Sequence, residues 1–178
     1  MKNTNFILLA GKSGSGKTTV CKELYKKYGL AQINSYTTRP PRHKGEIGHT
    51  FVNQNAMDYI LENEEIIGYT EYNGYQYCAT TEQMEETDIY VIDADGIRWF
   101  EEQYTGHKPT KVVYLDPPHE ERMNRLISRD GEEKAMEREQ NDTLMFDGIE
   151  ELADYVIEAS DLDTVVEQVY KIYCGKNP

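Results

Sequence analysis

The 178-residue sequence predicts an α/β fold in three layers, with a five-stranded parallel sheet, a small β-rich lobe and a helical lid. Three observations predict it. Short apolar, β-rich runs alternate with helical patterns, the rhythm of parallel strands joined by crossover helices. A glycine-rich loop, G-K-S-G-S-G-K-T at residues 11–18, follows the first apolar run and opens the first helical one. Two stretches, residues 35–81 and about 129–147, interrupt the rhythm without a linker or a low-complexity run. One core with two excursions accounts for them.

The expected core strands are Phe6–Ala10, Leu30–Ser35, Asp88–Ile92, Lys111–Leu115 and Tyr155–Glu158. The first is about five residues long, too short for a signal-peptide core or a membrane span, and reads as a buried strand. Helices are expected over Lys17–Tyr28, Gly96–Glu102, Pro118–Ser128 and Leu162–Cys174. Trp99 and Phe100 fall on such a helical pattern and are expected in the core. Residues 35–81 are rich in Thr, Tyr, Gly and Pro and suit a small β-containing lobe. Residues 129–147, crowded with charge, suit a helical lid.

Composition narrows the function classes. With 32 acidic against 19 basic side chains and a formal net charge of −13, the chain is a poor general nucleic-acid binder. Any phosphate site must therefore come from locally concentrated donors. No run reaches transmembrane length, so no membrane partner is expected. Cys21, Cys78 and Cys174 show neither metal-site spacing nor an even set, and read as reduced thiols of a cytoplasmic protein.

Residues 11–18 match the P-loop pattern G-x-x-x-x-G-K-[ST] in full. Gly11, Gly14 and Gly16 let the backbone curl so that successive N–H groups point inward as an anion nest. Lys17 brings a cation to the β- and γ-phosphates, and the Thr18 hydroxyl is a ligand for Mg²⁺. The helix that starts near Lys17 adds its positive end. Ser13, Gly14, Ser15, Gly16, Lys17, Thr18 and Thr19 are thus the expected ATP-binding set. The loop specifies a triphosphate donor and leaves the acceptor open.

The acceptor signal is S-Y-T-T-R-P-P-R-H-K, residues 35–44. Pro40 and Pro41 favour polyproline II geometry, with about three residues per turn. Arg39 and Arg42 then project to nearly the same side, and two guanidinium forks can converge on one phosphate.

With these motifs in order the chain resembles the guanylate kinase family over nearly its whole length. The resemblance is carried by G-K-S-G-S-G-K-T-T, S-Y-T-T-R-P-P-R followed by G-E and F-V, N-G-Y-Q-Y, I-D-A-D-G, L-D-P-P-H-E-E-R-M-N-R-L, Arg129, Arg138 and D-L-D. It implies a P-loop kinase whose core and lid are residues 1–34 and 82–178, with the lid at about 129–147. Residues 35–81 are the implied monophosphate-binding lobe. Arg39, Arg42 and Tyr77 would hold the GMP phosphate, Ser35 and Asp93 would face guanine, and Arg129 and Arg138 would close on the phosphates. The implied reaction moves the ATP γ-phosphate to GMP or dGMP with Mg²⁺. The expected partners are small-molecule nucleotides, and the chain is expected as a monomer or homodimer.

The lobe also departs from the family pattern. Asn73-Gly74 signals a type I′ hairpin, which pairs Tyr72 with Tyr75, Thr70 with Tyr77 and Gly68 with Ala79, all on one face. The family usually carries a guanine-reading Glu at the position of Gly68 and a Ser or Thr at that of Ala79. Glu71 is expected on the other face, and Thr80 reaches the place of Ala79 only through a bulge. His49 stands where a phosphate-binding Tyr is expected, and Ala159 where an Asn often lies near adenine. Two alternatives therefore stay open. One is a kinase for another nucleoside monophosphate or for a sugar phosphate such as ribose 1,5-bisphosphate. The other is a non-catalytic guanylate-kinase-like binding module, although Lys17, Thr18 and the lid arginines are present.

Overall fold

The computed structural model describes residues 4–158 and 161–178. Its first strand, β1 (Phe6–Ala10), is buried along its entire length and leads through the glycine-rich loop into α1 (Lys17–Tyr28). The lobe follows as β2 (Ser35–Thr37), β3 (His49–Phe51), α2 (Gln54–Asn63), β4 (Ile66–Tyr72) and β5 (Tyr75–Thr80). The chain returns through α3 (Thr81–Glu85), β6 (Ile89–Val91), α4 (Ala94–Gln103) and β7 (Thr110–Leu115). It then forms α5 (His119–Asp130), α6 (Glu132–Met145), α7 (Ile149–Leu152), β8 (Tyr155–Ile157) and α8 (Leu162–Tyr173).

The core sheet has the order β6-β1-β7-β8 and is parallel throughout. Side chains alternate across it, so β1, β6 and β7 each contribute to two cores. Phe6, Leu8 and Ala10 pack with Ile97 and Phe100 of α4 and Ile149 of α7. Ile7 and Leu9 pack on the other face with Val20, Cys21 and Leu24 of α1 and with Val165, Val166, Val169 and Ile172 of α8. That division makes the three layers.

The expected fifth core strand does not form. Within Leu30–Ser35 only Gln32 bridges to the sheet, beside Ile89. Asn34 explains the departure: its carbonyl is taken by the Thr50 hydroxyl at 3.3 Å and the Gln83 amide at 2.9 Å. The chain is thereby drawn into the lobe, where Ser35 starts β2 instead of ending a core strand. Trp99 is half-buried rather than in the core, whereas Phe100 is buried.

The second sheet has the order β3-β2-β5-β4. Asn73 (φ 50°) and Gly74 (φ 75°) both take the left-handed region that a type I′ turn needs. The register is the expected one: Tyr72 opposite Tyr75, Thr70 opposite Tyr77, Gly68 opposite Ala79. A register shift does occur, but between Ile66 and Gly68. It leaves Ala79 facing Gly68, and the Thr80 hydroxyl caps α3 by accepting from Gln83 N at 3.3 Å. Glu71 lies on the far face, where the Tyr69 hydroxyl donates to it at 2.5 Å. Ile67 and Ala79 join the core cluster, so the lobe packs directly against the sheet.

Candidate active site

One cleft of about 420 Å³ runs between the glycine-rich loop, the lobe and the lid helices α5 and α6. Ser13, Gly14, Gly16, Lys17, Thr18 and Thr19 line its donor side. Ser15 is buried behind the loop. Gly14 has φ 80°, and a Cβ there would sit 2.7 Å from the Arg122 carbonyl oxygen, so only glycine lets the loop approach α5 this closely. Lys17 folds back so that its Nζ donates to the carbonyls of Gly11 and Lys12. Burial lowers its pKa to about 8, with the nearby Asp142 carboxylate opposing the shift.

Two groups that motif reading did not single out hold this loop in place. Asp142 of α6 is buried and accepts from Ser13 N at 2.5 Å. Arg122 of α5, also buried, donates to Ser13 O at 3.2 Å and pairs with Glu139 of α6 at 2.5 Å. Arg125, one helical turn after Arg122, lines the cleft near Gly16. The pair belongs to the R-M-N-R segment of the L-D-P-P-H-E-E-R-M-N-R-L motif, and its one-turn spacing toward the loop was the available signal.

On the acceptor side Ser35, Arg42, His49, Thr70, Tyr77 and Asp93 line the same cleft. Ser35 Oγ and His49 Nδ1 are 2.9 Å apart, and the His49 ring meets the Tyr77 ring edge-on at 5.7 Å. Burial, reinforced by the Arg39 charge, lowers the His49 pKa to about 4, so the ring is neutral. Asp93 caps α4 by accepting from Gly96 N at 2.7 Å, and its burial pushes its carboxyl up. Tyr72 and Tyr90 complete this wall.

Arg39 does not line the cleft. It lies buried behind Tyr77, donates from Nε to the Tyr77 hydroxyl at 3.2 Å, and stands over the Phe51 ring at 5.4 Å. Its guanidinium is forked onto Glu46, and Arg42 comes within 4.0 Å of the same Glu46 oxygen. The two arginines thus converge, with a carboxylate between them. Arg129 and Arg138 line the cleft and both pair with Asp130, at 2.8 and 3.2 Å. The Arg129 hydrogen bonds hold the Asp130 carboxyl below its usual range. Ala159 lies outside the described residues.

This arrangement sets the glycine-rich loop against a cluster of polar and basic side chains, with Arg129 and Arg138 of the lid lining the space between them. A model of the guanylate kinase family matches residues 3–174. The guanylate kinase of Halalkalibacterium halodurans is 30% identical, the match covering 96% of this chain and 88% of that one. That of Prochlorococcus marinus is 27% identical over 97% of this chain and 98% of its own. The solved guanylate kinase of Anaplasma phagocytophilum has the same fold, with a TM-score of 0.69 at 24% identity over 97% of this chain and 86% of that one. On the near full-length family match and these relatives, the chain belongs to the guanylate kinase family.

Proposed function

We propose that the protein transfers the γ-phosphate of ATP to GMP or dGMP, giving ADP and GDP or dGDP. The observation that carries this reading is one cleft lined by the P-loop, by Arg42, His49, Tyr77 and Asp93, and by the lid arginines Arg129 and Arg138. An oxygen of the acceptor phosphate attacks the γ-phosphorus while the bond to the β-phosphate bridging oxygen breaks, and ADP leaves. The acceptor oxygen is already anionic, so no protein base is needed, and catalysis reduces to alignment and charge neutralisation.

Lys17 swings from the loop carbonyls onto the β- and γ-phosphates. The loop N–H groups of Gly14 and of Gly16 to Thr19 hold the triphosphate, with Ser13 N–H kept by Asp142 and Ser15 N–H by the Lys12 carbonyl. Tyr77 and Arg42 hold the acceptor phosphate, Arg39 positions the Tyr77 hydroxyl from behind, and Ser35 and Asp93 lie toward the base. In this reading phosphate oxygens take over from carboxylates: Glu46 yields Arg42, and Asp130 yields Arg129 and Arg138. The Asn141 amide of α6 already touches the Tyr72 hydroxyl at 3.5 Å, and closure of lid on lobe excludes water that would otherwise hydrolyse ATP.

The residues fit a nucleotide-borne magnesium ion. Thr18 lines the cleft at the helix start, and among the described residues no group of three or more His, Cys, Asp or Glu side chains could cage a metal. Thr18 would be its protein ligand, with phosphate oxygens and water supplying the rest. When bound, the ion neutralises charge on the β- and γ-oxygens. No helix among the described residues is long and apolar enough to cross a membrane.

The test is an ADP-release assay with ATP and Mg²⁺ against GMP, dGMP, AMP, UMP, CMP, dTMP and ribose 1,5-bisphosphate. GMP or dGMP is expected to lead the panel by about tenfold or more. A different leading acceptor would transfer the mechanism to that substrate, and ATP binding without any turnover would point to a binding module.

A further inference from the structure

Position 68 faces the cleft side of the β4–β5 hairpin, in one row with Thr70, Tyr72 and Tyr77, all three of which line the cleft. A Cβ at Gly68 would lie 2.7 Å from Tyr90 Cε1 and 3.0 Å from the Tyr90 hydroxyl oxygen. The Tyr90 ring, carried on β6 of the core sheet, therefore fills the space that a side chain at 68 would need. Tyr90 is only 4% exposed, yet it lines the cleft. No hydrogen bond engages its hydroxyl among the described residues, whereas neighbouring polar groups are paired: Ser35 with His49, Asp93 with Gly96 N. A hydroxyl that opens onto the cleft and has no protein partner is free to hydrogen-bond a ligand there.

We propose that Tyr90 reads the acceptor base, its hydroxyl taking the place of a side chain at position 68 and hydrogen-bonding the polar edge of the purine. The assignment rests on the proposed nucleotide acceptor. Burial and the nearby Asp93 push the phenol pKa up, so the group enters the contact neutral. A neutral phenol accepts one hydrogen bond from a guanine N–H, where a carboxylate in the same place would accept two. Asp93, which lines the same cleft, is the other acceptor that remains. The base is thus read from the core sheet while Tyr77 and Arg42 hold the phosphate from the lobe, and a bound acceptor ties the two together.

The test is Tyr90→Phe, which keeps the ring over Gly68 and removes only the oxygen. Steady-state kinetics are compared for GMP, AMP and ATP. Loss of one neutral hydrogen bond is expected to lower kcat/KM for GMP about three- to tenfold. The GMP-to-AMP preference should shrink, while KM for ATP moves less than twofold. A kcat/KM for GMP within twofold of the unmodified protein overturns the role of Tyr90 and leaves the kinase reading intact. A parallel rise in KM for ATP also overturns it, since that marks a structural role. If the unmodified protein turns over no GMP, the kinase reading fails first and this assignment fails with it.

Discussion

Glu46 grips Arg39 with both carboxylate oxygens, at 2.8 Å to Nη2 and 3.1 Å to Nη1, and accepts the Arg42 backbone N–H at 2.6 Å. The pair is almost dry, with side chains 8% and 9% exposed for Arg39 and Glu46. Glu46 thereby sets where Arg39 stands and, through Arg39, the position of the Tyr77 hydroxyl. Glu46→Ala leaves a buried guanidinium without its counter-charge, which costs about 3–5 kcal/mol. Urea denaturation should read that loss, together with a KM for GMP raised about tenfold and an ATP KM little changed. An unaltered urea midpoint would mean that Arg39 does not need Glu46.

Burial raises the Glu46 pKa, but its hydrogen bonds from Arg39 and Arg42 outweigh this and lower it to about 2. For a depressed carboxyl the stabilisation is present above the unfolded value of about 4.5 and is lost as pH falls toward about 2. His49 acts in an earlier window. Its folded pKa of about 4 lies below the unfolded 6.5, so between these values the unfolded chain binds the extra proton. The His49 contribution should therefore fall away as pH drops from 6.5 to 4, by on the order of 3 kcal/mol, and level off below, where the loss at Glu46 continues. His49→Gln should flatten that slope in urea titrations at pH 7, 5.5 and 4.5. An unchanged slope would assign the acid sensitivity elsewhere.

Lys17 carries a titration into the reaction. In the free protein its pKa is lowered to about 8 by burial, and a triphosphate placed against it raises the pKa again. ATP binding at pH 9 should take up a sizeable fraction of a proton, and at pH 6.5 almost none. Calorimetry in buffers of differing ionisation enthalpy measures that uptake directly. Lys17→Arg should abolish the pH 9 uptake, because a guanidinium stays charged. Equal uptake in both proteins would place the titrating group elsewhere.

Gly68→Ala drives a methyl into the Tyr90 ring. A Cβ 2.7 Å from Cε1 forces one of the two to move, at a cost of about 1–3 kcal/mol in thermal or urea unfolding. A neutral or stabilising effect would show that the ring is free to yield. Tyr90→Ala/Gly68→Ala should then recover part of the alanine penalty, because the two positions share one space.

How much of this was legible in the sequence depends on whether the cause was local. The P-loop is contiguous, so Gly11–Thr18 announced both its conformation and its ligand class. The Asn73-Gly74 turn set the register of the hairpin, and with it the pairings of Gly68 with Ala79 and Thr70 with Tyr77. The strand expected at Leu30–Ser35 failed because the Asn34 carbonyl bonds to Thr50 and Gln83, a tertiary event without a local mark. Tyr90 sat in an apolar run, I-Y-V-I, where nothing indicated that its ring would cross into the lobe and cover Gly68. Asp142 and Arg122 were lost among the charges of α5 and α6. Only the folding of the lid over the loop brings them to Ser13.

The central claim is phosphoryl transfer from ATP to GMP, and the most direct measurement follows the label. ATP carrying radiolabelled γ-phosphate is incubated with the protein, Mg²⁺ and GMP, and the products are separated. The account predicts labelled GDP formed one for one with ADP, with label in free phosphate at least a hundredfold slower. Lys17→Ala and Arg39→Ala should each lower labelled GDP by orders of magnitude. Label released as free phosphate at the same rate as ADP, or no ADP at all, would contradict it.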